Sequence, residues 1–234
     1  MKRFLCVILA ALLLLSGCGQ AASETAPETE TVEFQDDLGR QVSVTQPKRV
    51  AALIGSFADI WCLAGGKDSL VAAAHDTWTS FDLGLGDDVA DLGGITEPSL
   101  ETLIAAEPDL VLASCKTDAD VALLETLESM GIPVAYFSVS TFAEYLRMLD
   151  VCTQLTGQRD NYAQYGTALQ QQIDAAIATS DGSRPTVLYV RATGSSVKVK
   201  NSEDSVLGEM LRDLDCENIA DSDTGLLENL SIEA

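Results

Sequence analysis

Side chains that commonly carry catalytic chemistry are scarce in this chain. Its 234 residues include one histidine, His75. A single imidazole excludes the usual histidine-rich zinc sites and leaves His75 as the one base for a Ser-His-Asp arrangement. No Gly-x-Ser-x-Gly turn or P-loop occurs, and Gly84-Leu-Gly86 fails as a dinucleotide fingerprint because Val89 takes the third glycine position. The sequence therefore predicts a protein that is not an enzyme and has no catalytic residues or metal site.

The cysteines also lack the spacing of a metal site. Cys62, Cys115, Cys152 and Cys216 form no C-x-x-C pair, and each lies in or beside an apolar run. Free, mostly buried thiols are therefore favoured, and disulfides among them are the alternative.

The first eighteen residues predict export and attachment of a lipid. Lys2 and Arg3 precede an apolar run at residues 4–15, which is shorter than the roughly 20 residues that a membrane-spanning helix needs. The run ends in Leu15-Ser16-Gly17-Cys18, which resembles the bacterial lipobox, whose cysteine is acylated and becomes the mature N-terminus. We expect a signal peptide at 1–17, lipidation of Cys18 and a flexible tether at 18–32, with a buried helix as the alternative. The expected location is the extracytoplasmic face of the cell membrane.

The net charge excludes nucleic acid as a partner, and the distribution of basic residues indicates a segment that could bind an anion. The chain has 36 acidic and 14 basic residues, a net charge of −22, so it is not expected to bind nucleic acid. Residues 184–202 nevertheless contain four basic residues and no acidic one. These are Arg184, Arg191, Lys198 and Lys200. Together with Lys116 they predict a positive wall for an anionic ligand, and a solvated hairpin edge is the alternative.

Apolar runs that alternate with helical segments predict an α/β fold with a parallel sheet buried on both faces. Residues 32–44 form a predicted hairpin around Asp37-Leu38-Gly39. Strands are expected at 50–54, 70–74, 109–114 and 134–138, and helices at 57–66, before Pro108 and at 120–130.

Two helices then follow with no strand between them. The first has a capping box at Thr141 and Glu144 and ends at Gly157. The second, at 159–178, is expected to be continuous and about 30 Å long, enough to cross from one lobe to another. Strands at 186–192 and 197–201 and a helix at 204–214 then begin a second α/β lobe.

A short repeat indicates how the second lobe is built. Pro98-Ser-Leu-Glu101-Thr-Leu and Asn229-Leu-Ser-Ile-Glu233-Ala contain similar residues in the same order. A helix and a strand follow the first copy, so we expect this chain to contain only part of the second lobe, with chance similarity as the alternative. The expected organisation is a ligand-binding lobe at 33–157, an interlobe helix at 158–180 and a partial lobe at 181–234.

Several segments together resemble the two-lobed substrate-binding lipoproteins of ABC importers, the class III periplasmic binding proteins. The segments are DDLGR at 36–40, PKRVAAL at 47–53, GGITEPSLE at 93–101, EPDLVL at 107–112, MGIPV at 130–134, LTG at 155–157, LGEML at 207–211 and ENIA at 217–220. The resemblance implies two Rossmann-like lobes with parallel sheets, bridged by one long rigid helix, and a ligand held between them.

The resemblance also implies a function and its partners. The protein is expected to be a monomer that captures a ferric siderophore, haem or cobalamin and delivers it to an ABC permease and its ATPase. Beyond the N-terminal lipid, no covalent cofactor is expected. A ligand-sensing or adhesin lipoprotein on the same scaffold is the alternative. In relatives, glutamates at the positions of Glu101 and Glu233 contact permease arginines, although both could simply be first-turn helix glutamates.

Ligand contacts are expected on the loops that follow the strands, because crevices in open α/β sheets lie at the carboxyl ends of the strands. Plain structural filling is the alternative at each position. The predicted ligand-binding residues are Ser56, Phe57, His75, Thr77, Trp78, Gly94, Thr96, Lys116, Ser138, Arg191 and Ser195.

Overall fold

The computed structural model describes residues 31–192, 196–203 and 205–227. A five-stranded sheet with helices on both faces makes up the first lobe, and a smaller α/β unit follows residue 181. None of the helices in this described part combines the length and the apolar character needed to cross a membrane. Cys18, Ser195 and Glu233, each assigned a role by sequence, lie outside the described residues.

Five parallel strands form the sheet of the first lobe, and their spatial order is β5-β4-β3-β6-β7. The strands of this lobe, beginning with a hairpin, are β1 Thr31–Gln35, β2 Gln41–Thr45, β3 Val50–Ala52, β4 Leu70–Ala73, β5 Ala90–Asp91, β6 Leu110–Ser114 and β7 Val134–Phe137. Leu110 and Leu112 of β6 pack in one apolar cluster, whereas Val111 and Ala113 pack in a second. The unbroken apolar runs thus reflect a sheet with two covered faces, as predicted.

Helices cover these two faces in separate groups. They are α1 Gly55–Leu63, α2 Asp76–Ser80, α3 Leu100–Ala105, α4 Asp118–Ala122, α5 Leu124–Ser129 and α6 Phe142–Thr156. Trp61 of α1 and Met148 of α6 are buried in the first cluster, and Leu103 of α3 and Leu127 of α5 in the second. The capping box that begins α6 and the glycine at its end, Gly157 with φ 71°, are confirmed.

Two expected elements differ from the structure for physical reasons. The helix expected at 120–130 is two helices, because the Tyr136 hydroxyl donates to the Asp120 carbonyl at 2.7 Å and competes for that acceptor where the helix breaks. The strand expected at 186–192 is also divided, because its two halves have different partners. Its first residues pair in parallel with Glu217–Asn218, and its last pair antiparallel with Val197–Val199.

A turn in the β1–β2 hairpin covers the outer edge of β7. The amide of Asp37 donates to the carbonyl of Tyr136 at 2.9 Å, and the guanidinium of Arg40 donates to the carbonyl of Val134 at 2.8 Å. The Asp36 carboxylate accepts from the same guanidinium at 2.7 Å, which holds the turn in shape. The DDLGR segment therefore protects a strand edge that would otherwise be open to pairing.

A helical segment links the first lobe to the smaller unit. It is composed of α7 Arg159–Tyr162, a π-helical turn at Ala163–Thr167 and α8 Ala168–Ile177. The π-turn, which was not predicted, brings Gly166 against α6, where a Cβ would lie 3.1 Å from Leu146 Cδ2. The Tyr145 hydroxyl donates to the Tyr165 carbonyl at 3.0 Å and fixes this contact.

The smaller unit repeats the β-α-β pattern of the first lobe. Its elements are β8 Thr186–Val187, β9 Val190–Ala192, β10 Val197–Val199, α9 Val206–Asp213, β11 Glu217–Asn218, α10 Ile219–Ser222 and a 3₁₀ turn at Thr224–Leu227. The parallel pair β8 and β11 is connected through α9, in agreement with the expected second α/β lobe. We refer to residues 181–227 as the second lobe.

Candidate functional site

The crevice of the first lobe lies where the connections of its sheet change direction. The chain runs from β3 outward to β4 and β5, returns to β6 beside β3, and continues outward to β7. Ligands of such sheets bind at the carboxyl ends of the strands beside this switch point. The loops after β3, β4, β5, β6 and β7 thus form one edge, which we call the crevice edge.

The loops after β3 and β4 are locked together at this edge. Both oxygens of the Asp76 carboxylate accept the amide hydrogen of Gly55, each at 3.0 Å. A Cβ at Gly55 would lie 2.8 Å from the Thr77 nitrogen, so glycine is required there. Ser56, a predicted ligand contact, is half-buried in the first turn of the helix that this contact begins.

His75 stands on the same edge and is held by a carboxylate. Its Nδ1 lies 2.7 Å from Asp91 Oδ2, and the other Asp91 oxygen accepts the amide hydrogen of Gly93 at 2.8 Å. The bonds from His75 and Gly93 hold the pKa of Asp91 below its usual value. The imidazole is exposed, and nearby Trp78 is 38% exposed. Both side chains are therefore accessible to a ligand.

Two predicted contacts on this edge are buried instead. Phe57 is 3% exposed, and its ring meets Phe137 edge-on at a centroid distance of 6.4 Å in the core of the sheet. Thr77 is 1% exposed, and its hydroxyl has no hydrogen-bond partner among the described residues. Both side chains therefore pack beneath the crevice edge and are not exposed to a ligand there.

Lys116 is exposed on the loop after β6, which a buried aspartate fixes. The Asp120 carboxylate accepts the Ser114 amide hydrogen at 2.8 Å, and the Ser114 hydroxyl accepts that of Lys116 at 3.0 Å. Burial raises the pKa of Asp120 to about 7, against the effect of the Ser114 bond. Its Oδ1 has no partner within the described ranges.

The loop after β7 is hydrogen-bonded to the turn of the β1–β2 hairpin and to the first turn of α6. The amide of Ser138 donates to Asp37 at 2.6 Å, and its hydroxyl donates to Glu144 at 3.0 Å. Burial opposes ionisation of Glu144, but hydrogen bonds from Ser140, Ser138 and Thr141 outweigh it and lower the pKa. Ser138 thus supports the rim of the crevice, because both its amide and its hydroxyl are already bonded.

Gly94, Thr96 and Glu101 are exposed beyond β5. Glu101 lies in the first turn of α3, whose cap is the Ser99 hydroxyl. An exposed carboxylate there is compatible with contact to a partner and with stabilisation by the helix dipole.

Arg184 lines a different cavity, whereas the other three predicted basic residues of the second lobe line one of about 170 Å³. Its walls are Arg191, Ser196, Lys198 and Lys200. Arg191 and Lys198 are direct cross-strand partners in the β9–β10 hairpin. Like charges placed directly opposite are destabilising. Within the described part of the chain, the three cationic side chains form no ion pair with a carboxylate, which is unusual in so acidic a protein.

Two larger cavities lie away from the crevice edge. One, of about 440 Å³, is lined by residues that include Lys48, Trp61 and Ser69 and lies at the opposite ends of β3 and β4. The other, of about 460 Å³, is lined by Val32, Gln154, Gly157 and Arg159. Neither contains a predicted site residue.

The four cysteines 62, 115, 152 and 216 are unpaired, as the sequence favoured. Burial raises the pKa of the Cys152 thiol, so this side chain is an inert part of the core. Among the described residues, no group of three or more histidine, cysteine, aspartate or glutamate side chains has the geometry of a metal site.

Comparison with known proteins gives one family match. A family model described as periplasmic binding protein matches residues 50–234. Among curated proteins, the ferric-anguibactin-binding protein FatB of Vibrio anguillarum is 29% identical over 156 residues, which cover 63% of this chain. The matched region is 46% of FatB, so the chain spans less than half the length of this relative.

Two of the solved structures with a similar fold come from Vibrio cholerae. The periplasmic haem-binding protein HutB has a TM-score of 0.59 and 23% identity, over 73% of this chain and 65% of HutB. The periplasmic vitamin B12-binding protein BtuF has a TM-score of 0.64 and 15% identity, over 80% of this chain and 72% of BtuF. Identities this low establish likeness of fold alone.

Proposed function

Because the chain belongs to the periplasmic binding protein family, we propose that it captures a metal chelate between its two lobes for an ABC importer. The chelate is a ferric siderophore, haem or a cobalamin. The names of FatB, HutB and BtuF support this range of ligands, one for each class. Delivery to a permease and its ATPase is part of the same proposal.

The observation that carries the proposal is the row of exposed side chains along the crevice edge. His75 and Trp78 follow β4, Lys116 follows β6 of the same sheet, and all three side chains face solvent. An exposed imidazole, indole and ammonium offer hydrogen bonding, stacking and charge to a bulky ligand without a catalytic arrangement. The proposed contacts are Ser56, His75, Trp78, Gly94, Thr96 and Lys116 from the first lobe, and Arg191 and Ser195 from the second.

The basic cavity favours an anionic chelate. Arg191, Lys198 and Lys200 meet without a neutralising carboxylate in the described residues, and two of them are opposite one another. A carboxylate or other anionic oxygen from the ligand would relieve this repulsion through charge-assisted hydrogen bonds. Ferric siderophores with anionic groups and the propionates of haem meet this requirement.

Attachment and docking complete the proposal. A lipid on Cys18 would hold the protein at the extracytoplasmic face of the membrane through the tether at 18–32. Glu101 on the first lobe and Glu233 on the second would contact basic residues of the permease. Because the two carboxylates lie on separate lobes, both can pair with permease residues at only one distance between the lobes. Docking would therefore depend on how far apart the lobes are.

Tryptophan fluorescence offers a direct test of ligand capture. The chain has two tryptophans, Trp78 on the crevice edge and Trp61, which is 1% exposed in the core. Titration with haem, cobalamin and a panel of ferric siderophores should give saturable quenching with one class. Trp78→Phe should remove most of the quenching that the ligand causes, while calorimetry still detects binding of the ligand. No saturable quenching and no heat of binding with any probe would overturn the proposal.

A further inference from the structure

Backbone amides at the start of α6 donate hydrogen bonds to two carboxylates of different origin. Glu144 belongs to the helix, and its Oε2 accepts the amide hydrogens of Ser140 at 2.6 Å and Thr141 at 3.1 Å. Glu209 comes from α9, and its Oε2 accepts the amide hydrogen of Phe142 at 2.7 Å. The N-terminus of a helix attracts carboxylates, because its first amides lack partners within the helix and its dipole is positive there.

The second of these bonds joins the two lobes. Phe142 begins a helix that packs on the sheet of the first lobe, whereas Glu209 lies 67 residues later in the second. The Glu209 side chain is 17% exposed, and its Oε1 lies 3.4 Å from the guanidinium of Arg212. Arg212 therefore orients a carboxylate whose other oxygen reaches across to the neighbouring lobe.

The contact lies beside the crevice edge. Phe142 follows the 138–141 loop, which connects β7 to α6 and is held by Asp37 and Glu144. A bond from the second lobe to the first residue after this loop ties the position of that lobe to the rim of the crevice. Separation of the lobes at this rim must break the bond.

We propose that Glu209 is a positioning residue that latches the second lobe to the N-terminus of α6 and thereby sets the opening of the crevice. The proposal goes beyond ligand capture, since it concerns the protein without ligand and does not depend on which chelate is bound. The latch is a single charge-assisted hydrogen bond, so it breaks without disturbing either hydrophobic core.

Amide hydrogen exchange of the ligand-free protein, followed residue by residue by NMR, tests the latch. Glu209→Ala should speed exchange at Phe142 by about 10-fold, the loss expected for a hydrogen bond to a charged group. The amides of Ser140 and Thr141 should change far less, because Glu144 still holds them. Glu209→Gln, which keeps the shape of the side chain, should give a smaller change at Phe142. Glu203→Ala, an exposed glutamate of the same lobe, is the matched control.

Small-angle scattering of the same variants separates a latch from a local cap. Glu209→Ala should increase the radius of gyration, whereas Glu203→Ala should not, since it leaves the bond to Phe142 in place. Unchanged exchange at Phe142 in Glu209→Ala would overturn the proposal. Faster exchange with an unchanged radius of gyration would also overturn it, because Glu209 would then cap the helix without positioning the lobe.

Discussion

His75 Nδ1 lies 2.7 Å from Asp91 Oδ2 at the crevice edge, and this bond joins the loop after β4 to the last residue of β5. The second Asp91 oxygen is held by the Gly93 amide, so the carboxylate cannot turn away. An Nδ1–H that donates to Asp91 leaves Nε2 as the ring nitrogen with no hydrogen-bond partner among the described residues. The orientation of the imidazole is therefore set before any ligand arrives.

The lowered pKa of Asp91 predicts a small loss of stability in acid. A carboxylate with a lower pKa in the folded state stabilises the fold above its unfolded pKa, near 3.9, and this stabilisation is lost as pH falls through the folded value. Because the pair is about half exposed, the loss should be below about 1 kcal/mol. Thermal denaturation from pH 2 to 6 should show a flatter profile for Asp91→Asn. Asp87→Asn is the control, and identical profiles for all three proteins would contradict the prediction.

The raised pKa of Asp120 predicts a pH dependence of stability opposite to that of Asp91. Its raised pKa keeps a proton on the folded protein between about pH 4 and 7, where the unfolded chain has lost it. Stability from this group should fall by on the order of 4 kcal/mol as pH rises through this range and level off above pH 7. Denaturation by urea at several pH values should show this slope reduced in Asp120→Asn. Asp118→Asn, an exposed change on the same helix, should keep the slope, and parallel curves for the two variants would contradict the assignment.

Gly55→Ala should destabilise the first lobe by about 1–3 kcal/mol, because an added methyl group would overlap the Thr77 nitrogen and the Asp76 carboxylate. Gly94→Ala is a matched control on the same edge. No atom lies within 4 Å of a Cβ at Gly94, so its effect should stay within about 0.5 kcal/mol. Urea denaturation compares the two variants, and equal midpoints would contradict the close packing of these loops.

The elements that sequence predicted well are those buried on both faces. The strands at 110–114 and 134–137 lie within one residue of the expected bounds, because an unbroken apolar run suits no exposed element of that length. Ala90–Asp91 was missed, because this strand has two residues and pairs only with the end of β4. No sequence pattern marks so short an edge strand.

The same contrast separates the predicted from the missed site residues. His75 and Lys116 were predicted because each follows the end of a strand. Asp91 holds His75, and Asp120 holds the loop of Lys116. These two roles depend on which strands and helices become neighbours in space, so the sequence did not reveal them. Phe57 was assigned to the ligand although its helical spacing with Ile60 and Trp61 indicates a core position, and all three are buried. Periodicity within the helix was the better guide there than closeness to a strand end.

Lys198→Glu should separate the stability of the basic cavity from its affinity for anions. Replacing one of two opposed cations with an anion should stabilise the β9–β10 hairpin by about 0.5 kcal/mol, since Arg191 would gain an opposite charge. The same change should weaken binding of haem or the anionic ferric siderophore that saturates the wild-type protein, and added salt should weaken wild-type binding. Lys48→Glu is the control, because Lys48 lies at the end of the first-lobe sheet that is opposite the crevice edge. Equal affinity in both variants would exclude the cavity from the ligand site.

Glu101→Gln should lower uptake without changing ligand affinity. The side chain is exposed in the first turn of α3 and forms no hydrogen bond or ion pair with another described residue. If it pairs with a basic residue of the permease, loss of its charge should slow uptake of the ligand by cells about 10-fold. If it only stabilises the helix dipole, stability should fall by at most about 1 kcal/mol and uptake should persist. Glu125→Gln, an exposed first-turn glutamate of α5, controls for the loss of one surface charge. Uptake that is equal in the two variants would sink the docking role, whereas a loss confined to Glu101→Gln with unchanged affinity would place the permease contact on the first lobe.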